Sequence, residues 1–152
     1  MFRNAFDHLR RSYINLRYGR IDLDARLGKR GEQAAARLLR QTGYSILAEN
    51  ASDFAGEIDI IATDRKRASI IFVEVKTLQS TKPGHPAERV DEAKQTRITK
   101  AALRYLQKQN LLGCPVRFDV IAVWWPSGYS EPNKMEHYVS AFEATGVEGF
   151  YS

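Results

Sequence analysis

The sequence predicts a mixed α/β domain whose elements run helix, three strands, helix, strand. Three observations carry that prediction. Two segments, one near residue 30 and one near residue 100, repeat their apolar and alanine positions at helical spacing. Short runs rich in Ile, Val and Phe lie between and after them, bounded by turn-forming residues. The 152 residues are the size of one domain able to bury a core, and no stretch reaches the roughly 18 apolar residues of a membrane span.

The first core helix is expected over residues 26–41, where Ala34, Ala35, Leu38 and Leu39 share a face and Gly43 follows as a stop. YSILAE at 44–49 makes a first strand. Residues 57–63 and 69–76 make the second and third, joined by a polar turn around Asp64–Arg67. Pro83, Gly84 and Pro86 break the chain into a loop over 77–90. A long helix is expected from about Glu88 to Asn110, ending near Gly113. VRFDVIAVWW at 116–125 is apolar enough to be a central strand, and 135–142 reads as a further strand or a short closing element.

Charge divides the chain in two. The net charge is +5, and residues 1–30 hold eight Arg and Lys against three Asp. The remaining 122 residues hold fifteen of each sign, so the excess lies in the N-terminal segment; the chain is read as a basic extension over residues 1–25 followed by a single domain over 26–152. Such a leader suits a polyanion, either nucleic acid or an anionic membrane surface, and equally suits a solvated tail that aids solubility. Phe6, Leu9, Tyr13 and Leu16 fall at helical spacing, so part of the leader is read as a short helix docked on the domain. The segment has no apolar h-region, and Cys114 is the only cysteine, which fits a cytoplasmic chain without an intrachain disulfide.

The chemistry concentrates in GEIDIIATDRKRASIIFVEVKTL, residues 56–78. Alternation puts Glu57 and Asp59 on one face of their strand, and Glu74 and Lys76 on one face of theirs. Paired as a hairpin, the strands bring Asp59 beside Glu74. Two adjacent carboxylates repel unless a cation intervenes. A hard ion, Mg²⁺ or Mn²⁺, fits two carboxylates, several waters and a backbone carbonyl, for which Val75 is placed. Lys76 then serves the metal-bound water and the developing phosphate charge. A cross-strand ion pair is the commoner meaning of ExK alone. Asp at the end of one strand and ExK at the end of the next favours the metal site. Glu32, in the first turn of its helix, is read equally as a third acid of that site or as a partner of the helix dipole.

On the second helix Lys94, Arg97, Lys100, Arg104 and Lys108 fall three or four apart and line one face. A solvated basic face is the ordinary meaning of such a row; beside a carboxylate metal site it becomes a track for a phosphate backbone. Trp124 and Trp125 end the fourth strand, one expected buried and the other half-exposed, where it would be open to a base. His85 and His137 lack partners at metal-binding spacing, and Asp119 is read as a local partner of Arg117.

GE at 31–32, GEIDIIA at 56–62, FVEVKT at 72–77, Lys94 with Arg97, and RFDVIAV at 117–123 together resemble the YraN-type family of bacterial proteins, from about Gly28 to Phe142. That family is grouped with the restriction-endonuclease-like (PD-(D/E)xK) nucleases and is similar to archaeal Holliday-junction resolvases. The resemblance implies an αβββαβ core, a mixed central sheet flanked by helices. It matches Asp59 to the first motif acid, Glu74 and Lys76 to the ExK, and Glu32 to the helix-one glutamate of the resolvase-like branch, while relatives vary at Glu57 and Gln95. Ile58 stands where the motif often has proline. Ala51 and Leu78 stand where the family has basic residues, so two phosphate contacts are missing. Residues 1–25 show no clear family counterpart.

The leading expectation is thus a metal-dependent DNA endonuclease acting on branched or structured DNA. The resemblance also implies a homodimer, because resolvase-like relatives cut two strands as dimers. The rivals are a catalytically inactive nucleic-acid-binding module of the same fold and a protein-interaction domain of a DNA or RNA machine. No membrane partner is expected.

Overall fold

The computed structural model describes residues 2–80, 90–147 and 150. Eight elements follow in order: α1 (Phe2–Tyr18), α2 (Leu27–Gln41), β1 (Tyr44–Asp53), β2 (Gly56–Asp64), β3 (Ser69–Leu78), α3 (Glu92–Lys108), β4 (Val116–Trp124) and β5 (Lys134–Phe142). The expected α-β-β-β-α-β order is present, extended by a helix before it and a strand after it. The strands form one sheet in the order β1-β2-β3-β4-β5. Pairing is antiparallel except for β3 with β4, which is parallel and is bridged by α3 as a crossover.

Both faces of the sheet are covered, which explains why β3 is apolar almost throughout. Ile71, Val73 and Val75 point to one face with Ile121, Val123 and the α2 residues Ala34, Ala35 and Leu39. Ile70 and Phe72 point to the other with Phe118, Val120 and the α3 residues Ile98, Ala102 and Leu106. Phe118 stacks between Phe72 and Phe142, with ring centroids 5.6 and 5.1 Å apart. Each such pair contributes about 0.5–1.5 kcal/mol beyond its buried area.

Gly31 decides how closely α2 lies on β3. A Cβ at this position would sit 1.8 Å from Thr77 Oγ1, so only glycine permits the contact. That contact brings the first turns of α2, and with them Glu32, to the end of β3.

Several boundaries differ from the sequence reading. β1 continues four residues beyond Glu49 because a register shift between Ile46 and Ala48 lets the hairpin with β2 run on to Asp53. α3 begins at Glu92 rather than near Glu88: Asp91 is the N-cap, its side chain accepting from Lys94 N at 2.8 Å. Glu88, His85 and the Pro83–Gly84–Pro86 break lie outside the described residues. Trp124 and Trp125 are 9% and 1% exposed, so neither is open to a base. The Trp125 ring lies under the Arg30 guanidinium, and its Nε1 donates to Tyr129 O at 2.8 Å. Residues 134–142 are a full edge strand, which settles the choice the sequence left open.

The leader is a 17-residue helix, and it docks by the face opposite to the expected one. Arg37 of α2 donates to Asn15 Oδ1 at 2.8 Å and to Gly19 O at 2.7 and 3.0 Å, and Arg40 donates to Tyr18 O at 3.3 Å. Cations on α2 thus satisfy the carbonyl end of α1, where unpaired acceptors and the negative end of the dipole gather. Phe6, Leu9, Tyr13 and Leu16 face outward.

Candidate active site

The site is made by a split in the sheet. β2 and β3 pair from Asp64↔Ser69 as far as Ile60↔Val73 and no further. Beyond that point β2 stays with β1 down to Asp53↔Gly56, while β3 stays with β4 up to Leu78↔Trp124. The two strands part at Asp59 and Glu74. The amide of Val75, which would otherwise seek a ladder carbonyl, donates to Asp59 Oδ2 at 2.8 Å instead. A side-chain carboxylate therefore stands in for a backbone acceptor at the fork.

Glu74 follows Phe72 on the α3 face and is 5% exposed. A buried carboxylate needs partners, and it has two. Lys76 Nζ lies 3.4 Å from Glu74 Oε1, and Lys94 Nζ, from the first turn of α3, contacts the same oxygen. Glu32 approaches from α2. With its amide turned to satisfy both neighbours, Asn50 donates to Glu32 Oε2 at 2.9 Å and accepts from Lys29 Nζ at 2.5 Å. Lys29 is itself 3.5 Å from Glu32. Asn50 sits at φ 50°, a left-handed conformation that asparagine tolerates better than most residues.

The electrostatics of the fork are uneven. Burial, then the Glu74 charge, push the Asp59 carboxyl up to about 7, with Glu32 adding to the rise and the Val75 amide opposing it. Burial, then neighbouring Lys94, hold the Lys76 ammonium below its ordinary range despite Glu74. Lys94 is held above its own range by Glu74, against burial. The fork thus gathers an Asp59 carboxyl raised toward neutrality, a buried glutamate beside it and two lysines of unlike basicity.

The Asp59 shift has a measurable consequence. A carboxyl whose folded value lies above its unfolded one binds the proton more tightly when folded, so stability falls as pH rises from about 4 to about 7 and then levels off. Asp59→Asn removes that penalty. It is expected to stabilise the fold at pH 8 by about 1–3 kcal/mol, seen as a raised melting temperature, and to leave the melting temperature nearly unchanged at pH 4. Paired melting curves at the two pH values check this; equal shifts at both would mean that Asp59 is not the strained group.

Of the residues singled out in the sequence, Asp59, Glu74 and Lys76 converge here, and Glu32 lies at the edge, close enough to add to the rise of Asp59. Lys94, assigned to the phosphate track, belongs to the fork as well. Arg97 and Lys100 are exposed farther along α3. Arg104 Nε is bound to Asp53 Oδ2 at 2.5 Å, and its guanidinium lies 3.7 Å above the Phe54 ring, so its charge is already answered. Glu57 is exposed, and Gln95 is spent on holding Val90 O at 2.8 Å. Asn50 and Lys29 were not found by the reading of motifs. The one sequence signal for Asn50 was its residue type, suited to a left-handed turn.

Two hard carboxylates side by side fit a magnesium-class ion that keeps most of its waters. Among the described residues no group of three or more His, Cys, Asp and Glu side chains is arranged to hold a metal ion. Glu32 stands off on Asn50 and Lys29.

Fold and fork define an α/β domain with an acid–lysine cluster at the open end of a mixed sheet. The chain belongs to the uncharacterised protein family UPF0102, whose profile matches residues 31–123. It is 58% identical over 145 residues to a UPF0102 protein of Rhodopirellula baltica, covering 95% of this chain and 87% of the relative. It is 46% identical over 117 residues to one of Trichlorobacter lovleyi, covering 77% and 90%. A Chlorobium phaeobacteroides relative is 44% identical over 121 residues, covering 78% and 94%. The 145-residue match necessarily takes in most of residues 1–25, so the leader does have a counterpart in at least one relative.

Proposed function

We propose that the protein is a metal-dependent DNA endonuclease that hydrolyses phosphodiester bonds, with branched or structured DNA as its substrate. The observation that carries this reading is the fork. Only where β2 leaves β3 do Asp59 and Glu74 meet, on the face that also carries Lys76. Asp59 and Glu74 would hold Mg²⁺ or Mn²⁺. The carbonyl of Val75, which in a regular strand leaves on the same side as its amide, would join them. The ion would supply Lewis acidity and a water acidified enough to attack at neutral pH. The chain's own residues do the rest. Lys76, depressed by burial and by Lys94, is suited to taking a proton from that water and to answering charge on the phosphate. Lys94 holds Glu74 in place, and Glu32, fixed by Asn50 and Lys29, borders the opening.

Substrate contact is assigned to the exposed end of the α3 row. Replacing Arg97 and Lys100 together by Ala is expected to weaken DNA binding and to reduce the slope of log K against log salt by about 1–2, without altering cleavage of bound DNA. A salt slope equal to wild type would remove this face from the interface. A homodimer would let two forks cut two strands.

A second reading has its own observation. Glu74 already has two ammonium partners, and among the described residues no group of three acids is arranged to hold a metal ion. A nucleic-acid-binding module without turnover fits that arrangement. Cleavage of labelled linear, flap and four-way-junction DNA with Mg²⁺ or Mn²⁺, with Lys76→Ala as control, separates the two. Metal-dependent cutting lost in the variant supports the endonuclease; binding without cutting, unchanged by the variant, supports the module.

A further inference from the structure

Among the described residues nothing packs on the outer face of α1. Phe6, Leu9, Tyr13 and Leu16 are 70, 67, 60 and 90% exposed. Spaced three, four and three apart, they form one stripe along the helix rather than scattered exposures. Single exposed apolar residues are ordinary, but an aligned row on a helix is the signature of a surface that something covers. The opposite face is already committed to Arg37 and Arg40 of α2. The domain therefore holds the helix by its polar side and displays the apolar one.

Charge indicates what covers it. Arg3, Arg10 and Arg17 recur every seven residues and flank the stripe on one side, and all three are exposed. Within α1 four arginines stand against Asp7 alone. A second copy of the helix laid on the stripe would bring two such rows together, and like charges at close range oppose the pairing. A nucleic acid would meet the arginines but leave the apolar row in water. An anionic bilayer answers both parts at once, taking the apolar side chains at the acyl boundary and the arginines at the headgroups.

We propose that α1 is an interfacial helix that lays this protein on the surface of an anionic phospholipid membrane. No helix of the described residues is long and apolar enough to cross a bilayer, so the association is with the surface, and it departs from the expectation that no membrane is a partner. It is independent of the fork and of any nuclease activity, because α1 contributes no residue to the site.

The test is flotation of the full chain with vesicles containing phosphatidylglycerol and with vesicles of phosphatidylcholine alone. Leu9→Glu and Leu16→Glu are the variants of choice. Both positions face solvent, so melting curves should match wild type and exclude misfolding as a cause of lost binding. The wild-type chain is expected to float with the anionic vesicles and not with the neutral ones, and added salt should weaken the association. Each substitution is expected to reduce partitioning roughly tenfold or more. Failure to float with anionic vesicles, or equal flotation with both compositions, overturns the proposal. So does a dimer in solution that either substitution converts to monomer, which would assign the stripe to a second copy.

Discussion

Lys76→Ala is expected to lower metal-dependent cleavage by about 10²–10⁴-fold while DNA binding stays within a fewfold of wild type. The two effects separate because of where the lysine sits. Its ammonium is 3.4 Å from the buried Glu74, where the two strands have parted, and its side chain is only 23% exposed. Arg97 and Lys100 stand in solvent farther along α3, where a phosphate backbone can reach them. Truncating Lys76 removes the less basic of the two amines and leaves Lys94 on Glu74, so the buried carboxylate keeps a partner and the fold survives. Single-turnover cleavage and fluorescence anisotropy on the same junction DNA measure the two quantities. A parallel fall in both would mark Lys76 as a structural counter-ion to Glu74 and withdraw it from the chemistry.

Asp119→Ala is expected to have the largest effect on folding, a loss of about 3–5 kcal/mol. Asp119 is fully buried and takes four hydrogen bonds. Two come from Arg117, both at 2.8 Å, and one from Ser140 N at 2.9 Å; the fourth joins it to His137 Nε2 at 2.6 Å. Arg117 also donates to Tyr44 Oη at 3.1 Å and lies 3.8 Å from Asp64. The network thus ties β1, β2, β4 and β5 on the α2 face. Burial alone would raise the Asp119 carboxyl, but the bonds from His137, Arg117 and Ser140 outweigh it and hold the group below its ordinary value. A depressed carboxyl stabilises the fold above its unfolded value of about 3.9 and loses that contribution as pH falls through the folded one. Removing the carboxylate leaves Arg117 with two weaker partners in a buried setting. Against a total stability of about 5–15 kcal/mol the loss is large. Urea unfolding at neutral pH should show a lower midpoint at unchanged slope. A loss below about 1 kcal/mol would mean that Asp64 and Tyr44 suffice for Arg117.

The contrast between these two buried carboxylates shows where sequence reading stops. Asp119 and Glu74 both lie in apolar strands. The reading by alternation and motif placed Glu74 in the chemistry and Asp119 in a local pair with Arg117. That pair is present, but His137 and Ser140 join it from a strand pairing that no local pattern announces. The same limit hid Lys94. Its spacing on α3 puts it in the basic row, and only the docking of the first α3 turn over the fork turns it onto Glu74.

By itself the sequence determined the order of elements, the central burial of β4, the facing of Asp59 and Glu74, and the basic leader. Each of these follows from local periodicity: 3.6 residues per helical turn, alternation along a strand, and the chain positions of charge. Tertiary structure alone decided that β2 and β3 part at Asp59, that Asn50 and Lys29 fix Glu32, that Trp124 is buried, and that α1 turns its apolar stripe outward. Each of these depends on which of two faces meets a neighbour distant in sequence. Periodicity defines a face but not what packs against it, and for α1 the arginines of α2 outbid the apolar row.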